Sequence, residues 1–223
     1  MGAELILLGR NEERLTETLG LLTKGPNHKY FSFDFSEGHD FSVIGQKIVE
    51  GGKLHGLVNC AGVTSTLPIK SISYERMKKT FDVNVFSAME MAKWFVKKNV
   101  IFEEGGSIVF IASVMGVMGE VGKTLYSMSK GALISGSKSM ALELASRKIR
   151  VNTISPGVIF TPMVENGVYA QDEELFNKVK AKHPLGIGKT EDVAHSAIYL
   201  LSDGSKWVTG SNIMVDGGYS AGK

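Results

Sequence analysis

A tyrosine four residues ahead of a lysine can move a proton. This chain has that spacing three times: Tyr74–Lys78 in YERMK, Tyr126–Lys130 in YSMSK and Tyr219–Lys223 in YSAGK. On a helix, residues i and i+4 share a face, so an ammonium can lie beneath a phenol. A phenol ordinarily titrates at about pH 10. A neighbouring cation favours its phenolate and brings proton exchange toward neutrality. Spacing alone does not choose among the three pairs, so their surroundings must. Tyr74 opens a charged helical stretch, SYERMKKTF, and reads as part of a solvated face. Tyr219 stands at the chain end, where backbones fray, with Gly222 inside the pair. Tyr126 differs: it opens a helix behind an apolar run, GSIVFIAS, whose last residue is Ser113. The intervening VMGVMGEVGKTL is dotted with glycine and can fold back over the site. A serine hydroxyl there can hold a substrate oxygen, although alone Ser113 reads equally as an ordinary strand-end hydroxyl.

The elements that must position these groups alternate along the chain. Apolar runs at 3–8, 28–35, 54–62, 106–113, 149–157 and 212–218 read as strands. Amphipathic stretches read as helices over about 41–50, 74–100, 124–148 and 190–202, with another after Asn11, which can cap it, and before Gly25, which can stop it. This alternation implies an α/β fold, a doubly wound, Rossmann-like parallel sheet in three layers with helices on both faces. Ligands bind such sheets beyond the carboxyl ends of the strands. Gly9–Arg10, Asp34–Phe35, NCAG, ASVMG and SPGVIFT therefore hold the candidate site. No repeat, low-complexity segment or linker interrupts the 223 residues, which read as one domain, 1–223. With 25 basic and 23 acidic residues the net charge is +2, which argues against a nucleic-acid or membrane surface. The chain shows no long apolar run and no signal peptide, as expected of a cytoplasmic protein. Its only cysteine, Cys60, reads as a packed small side chain rather than a functional thiol. No His, Asp or Cys spacing builds a metal site.

In combination these motifs resemble a classical short-chain dehydrogenase/reductase along essentially the whole chain. NCAG at Asn59–Gly62 matches the family's Asn-Asn-Ala-Gly element, with Cys60 for the second asparagine. Asn84–Val85 matches its helix asparagine. Ser113, Tyr126 and Lys130 match its catalytic serine and Tyr-x-x-x-Lys. PGVIFT at Pro156–Thr161 matches its Pro-Gly turn, and VTGSNIMVDGG at Val208–Gly218 its C-terminal strand. The resemblance implies that Tyr126 is the general acid in reduction, and that Lys130 lowers its pKa and bonds the nicotinamide ribose. Ser113 would orient the carbonyl, and Asn84 would hold a water linking Lys130 to solvent. Asp34 and Phe35 would meet the adenine. Asn59, Ala61 and Gly62 would let the backbone approach the cofactor. Pro156 and Gly157 would shape a turn that presents the Val158 backbone and the Thr161 hydroxyl. Arg10 stands where an arginine accommodates a 2′-phosphate, which favours NADP, with NAD the alternative.

The implied activity is reduction of a ketone to a secondary alcohol. The subclass most resembled is the 3-oxoacyl-(acyl carrier protein) reductases, acting on an acyl thioester. The substrate expected is thus a small-molecule carbonyl or alcohol. A sugar or secondary-alcohol dehydrogenase is the enzymatic alternative, and a non-enzymatic relative that acts by association is the alternative of another class. A segment at about Met163–Lys182 would cover the substrate, with Met115 and Met118 adding an apolar wall. A homodimer or homotetramer is expected through the helices at 74–100 and 124–148. One part of the pattern is missing: Met1–Arg10 resembles the family's second strand, and its first βα unit, with the glycine-rich turn, has no counterpart here. The strands at 3–8 and 54–59 are therefore expected to lack a shared neighbour, with their ladder groups unpaired inside the protein. Either a longer native chain supplies that unit, the reading preferred here, or the 223 residues are the full product and bind dinucleotide poorly.

Overall fold

The computed structural model describes residues 2–23, 27–36, 41–161 and 173–222. Gly25, Lys223 and the first half of the Met163–Lys182 segment lie outside them. The chain runs β1 (Ile6–Gly9), α1 (Glu12–Leu21), β2 (Lys29–Ser32), α2 (Ser42–Val49), β3 (Gly56–Asn59), α3 (Tyr74–Phe81), α4 (Ser87–Phe95), β4 (Gly106–Ile111), α5 (Thr124–Leu144), β5 (Ile149–Pro156), α6 (Glu173–Ala181), α7 (Thr190–Leu201) and β6 (Asn212–Val215). Every strand pair is parallel. Asn11 caps α1 as expected, its side-chain oxygen accepting the Arg14 amide at 2.9 Å, and Glu12 and Glu13 complement the positive end of the helix.

Strand alternation builds the layers. In β4, Ile108 and Phe110 join one core with Phe41, Ile48, Trp94, Phe95, Leu133 and Leu144, so α2, α4 and α5 cover one face. Val109 points the other way, to Ile154 of β5 and Leu200 of α7. This is the three-layer arrangement expected of strands that are apolar on both faces. Burying a side chain such as Phe110, which has no exposed surface, stabilises by about 2–3 kcal/mol. Close approach matters as much as bulk: Gly45 of α2 lies so near Trp94 that a Cβ there would sit 2.2 Å from the indole nitrogen.

The sheet is in two pieces. Among the described residues β1 pairs only with β2, while β3, β4, β5 and β6 form a separate four-stranded sheet in that order. The strands expected to lack a shared neighbour do lack one. Their edges are not sealed inside, however: β1 is half-buried throughout, as are Leu57, Val58 and Asn59 of β3, whereas β4 and β5 are buried almost completely. The β1–β2 unit is held by packing of Ile6, Leu8, Phe31, Phe33 and Phe35 on the first core.

The helices at 74–100 divide their hydrophobic residues between core and surface. Ala88, Met91, Ala92, Trp94 and Phe95 are buried, while Phe86 and Met89 are exposed, as are Met128 and Leu142 on α5. The expected single helix over 74–100 is interrupted by a π turn at Asp82–Phe86. Among the described residues no helix is long and apolar enough to cross a membrane.

Candidate active site

β4 ends at Ile111, and two residues on, Ser113 adopts an extended conformation and caps a short 3₁₀ turn, Val114–Gly116, accepting the Met115 amide at 3.2 Å. This turn returns directly onto α5. At Gly116 a Cβ would fall 3.0 Å from the Lys130 carbonyl carbon and 3.1 Å from the Gly131 nitrogen. Two facing glycines thus let the loop lie backbone to backbone on the helix that carries Tyr126 and Lys130. The Ser113 side chain lies close enough to the Tyr126 phenol to favour its ionised form. Lys130 is only 4% exposed. Its Nζ donates to the Ile111 carbonyl at 2.8 Å and lies 5.9 Å from the centre of the Tyr126 ring.

The electrostatics differ from expectation in one respect. Burial pushes the Tyr126 phenol up, and the nearby Ser113 hydroxyl offsets only part of this. The expected lowering by Lys130 is not met here: burial dominates the phenol, and the ammonium is bonded to the Ile111 carbonyl. Burial also depresses the Lys130 ammonium, to about 8, with Cys60 opposing. Lys123, unremarked in the sequence, stands at the same 5.9 Å from the Tyr126 ring centre and donates to Thr66 Oγ1 at 2.7 Å.

Asn84 is completely buried in the π turn. Its amide is bonded within the protein. Oδ1 accepts the Val63 amide at 2.7 Å, and Nδ2 donates to the Val63 carbonyl at 3.0 Å and to Ser129 Oγ at 2.9 Å. Ser129 in turn donates to the Tyr126 carbonyl at 2.8 Å. Asn84 therefore fastens the turn after β3 to the helix of Tyr126, consistent with π turns occurring at functional sites. Between them lies Gly62, where a Cβ would meet Lys130 Nζ at 3.2 Å and Asn84 Oδ1 at 3.4 Å. Asn59 has a buried Nδ2 with no partner among the described residues. Cys60 is exposed rather than packed, because β3 has a neighbour on one side only.

At the ends of β1 and β2, exposed Arg10 and half-buried Asp34 attract one another. Asp34 Oδ1 accepts the amide of Ser36 at 2.8 Å and its hydroxyl at 2.6 Å. These bonds, with Arg10 assisting, hold its carboxyl below the usual range. Phe35 packs edge-on to Phe33, with ring centres 5.3 Å apart. Beyond β5, the Thr161 hydroxyl donates to the Ile159 carbonyl at 3.3 Å. The Val158 amide donates to His183 Nε2 at 3.2 Å and its carbonyl accepts the Gly188 amide at 3.1 Å. No spacing pattern pointed to His183.

The other two Tyr-x-x-x-Lys pairs fall away. Tyr74 is exposed, and Lys78 pairs with Asp82 at 2.7 Å. Tyr219 is not frayed, as its position suggested, but buried with Val114 and Met115.

A family model described as enoyl-(acyl carrier protein) reductase matches residues 1–220. A 3-oxoacyl-[acyl-carrier-protein] reductase of Homo sapiens is 34% identical over 219 residues, which are 97% of this chain and 87% of that protein. The structure of 4-hydroxyisoleucine dehydrogenase complexed with NADH superposes with a TM-score of 0.86 at 33% identity, covering 98% of this chain and 88% of that one. ElxO with NADP bound gives 0.85 at 25% identity, covering 97% and 88%. With the serine, tyrosine and lysine gathered at the end of β4, these likenesses identify the chain as a member of the classical short-chain dehydrogenase/reductase family of oxidoreductases.

Proposed function

We propose that the chain is an NADPH-dependent reductase that converts the ketone of a 3-oxoacyl thioester to a secondary alcohol. The observation that carries this reading is the buried Lys130, its Nζ 5.9 Å from the centre of the Tyr126 ring, with the Ser113 side chain beside the phenol. The surroundings fit a dinucleotide: Asn59 presents a buried donor without a partner among the described residues, and Gly62 brings backbone without a side chain beside Lys130. When bound, the nicotinamide supplies the hydride. The chain's own residues handle the oxygen. Tyr126 gives its proton to the developing alkoxide, and Ser113 donates a hydrogen bond to the same atom. A phenol held up by burial keeps its proton at neutral pH, which suits the reductive direction. Lys130, with one N–H on Ile111, keeps two for the nicotinamide ribose and the phenol. Arg10 supports NADPH over NADH through the 2′-phosphate, and the likeness to the human 3-oxoacyl reductase supports the thioester. Exposed Phe86, Met89 and Met128 supply a surface for dimers or tetramers.

The test is loss of NADPH absorbance with an acetoacetyl thioester. Activity that falls roughly 10²–10⁴-fold in Tyr126→Phe supports the reading. A wild type inert toward 3-oxoacyl thioesters, or a fully active Tyr126→Phe variant, refutes it. The likeness to 4-hydroxyisoleucine dehydrogenase favours a second reading, oxidation of a secondary alcohol, which the same cofactor assay run in reverse would reveal.

A further inference from the structure

His183 lies just beyond α6, only 3% exposed, and touches three segments at once. Its Nδ1 faces the Val179 carbonyl at 2.8 Å, so this nitrogen carries the proton. Nε2 is then left with its lone pair, which accepts the Val158 amide at 3.2 Å. The tautomer is fixed by its neighbours at both ends. One side of the ring faces Tyr219, with centres 4.8 Å apart, and Tyr219 packs with Val114, Met115 and Tyr126. The turn that presents Tyr219 is tied by Asp216, whose carboxylate accepts the amides of Gly218 at 3.0 Å and Ser220 at 2.9 Å. Nε2 also presses on Gly157: a Cβ there would stand 3.0 Å from it and 3.0 Å from Asp216 Cα. Simple core packing would ask only for bulk. This ring is instead asked for one donor and one acceptor at a set separation, and the acceptor serves the backbone of the Pro156–Thr161 loop.

We propose that His183 is a positioning residue for cofactor binding. It holds the Pro156–Thr161 loop, through the Val158 amide, in the shape that receives the nicotinamide end, and ties that shape to the placement of α6. The inference rests on the proposed dinucleotide reading of the site. It differs from a catalytic claim, since His183 acts through Val158 and not on substrate.

Two substitutions separate the two ends of the ring. His183→Gln can place an amide oxygen where Nε2 stands and keep the bond from Val158. His183→Asn can keep the donor toward Val179 but is too short to reach Val158. NADPH binding is measured by cofactor fluorescence, alongside KM, kcat and thermal melting. The expected result is a roughly tenfold weaker affinity and higher KM for NADPH in the Asn variant, with kcat little changed and largely restored binding in the Gln variant. Equal NADPH affinity in the two variants, or melting shifts without a change in KM, would overturn the proposal. A wild type that does not bind NADPH overturns the dinucleotide reading itself, and this inference with it.

Discussion

Lys130→Met tests the electrostatic account of the site through stability rather than rate. Burial takes the ammonium from its ordinary 10.5 to about 8, which corresponds to about 3 kcal/mol favouring the neutral form in the folded protein. The folded-state value is the lower of the two, so between about pH 8 and 10.5 the unfolded chain binds more protons, and stability rises with pH across that window. Below it the full penalty applies. From pH 7 to 9.5 the wild type should gain about 2 kcal/mol relative to Lys130→Met, and almost nothing from pH 6 to 7. The substitution also removes the donor to Ile111, a loss of about 1–3 kcal/mol. That loss does not vary with pH and shifts one curve bodily. The assay is urea unfolding of both proteins from pH 6 to 9.5. Parallel curves would refute the reasoning, for they would mean that Lys130 is as well solvated as in the unfolded chain.

The same value fixes the activity profile. Ketone reduction should decline as pH rises through about 8, where Lys130 loses its charge, while the elevated phenol stays protonated; kcat/KM followed from pH 6 to 10 checks this, and a rate flat to pH 10 would count against it. Arg10→Ala should raise KM for NADPH by roughly tenfold and leave NADH nearly unchanged, since only the former carries a phosphate for the guanidinium; the ratio of the two kcat/KM values is the measurement. Gly45→Ala forces a methyl against Trp94 at 2.2 Å and should cost roughly 1–3 kcal/mol, read by thermal melting, with the kinetics of the folded enzyme unaltered.

Much of this arrangement is legible in the residues themselves. The run GSIVFI is apolar on both faces, so it had to be an inner strand, and the position of Ser113 at its end followed. YSMSK was separable from its two look-alikes by what precedes it. The local cause of other features is not in the local sequence. The π turn around Asn84 interrupts a stretch with unbroken helical pattern, and it is explained only by the Val63 backbone and Ser129 Oγ that the amide meets. The direction of the Tyr126 shift depends on the balance of burial against the nearby Ser113 hydroxyl, which spacing does not encode. Tyr219 reads as a fraying end because the residues that bury it, Val114, Met115 and His183, are distant in the chain.

The divided sheet has a consequence for how the molecule opens. No ladder hydrogen bond crosses from β1 to β3, so nothing in the backbone forces the two units to melt together. Proteins open in contiguous cooperative units of differing free energy, and the β1–β2 pair has the features of a weak one: four-residue strands, half-buried edges, and α1 with no buried residue. Its amides should exchange with solvent through openings that leave β4 and β5 closed. Arg10 and Asp34 ride on this weaker unit and Ser113, Tyr126 and Lys130 on the stronger one. A dinucleotide spanning both would act as a clasp, protecting the first unit's amides far more than the second's.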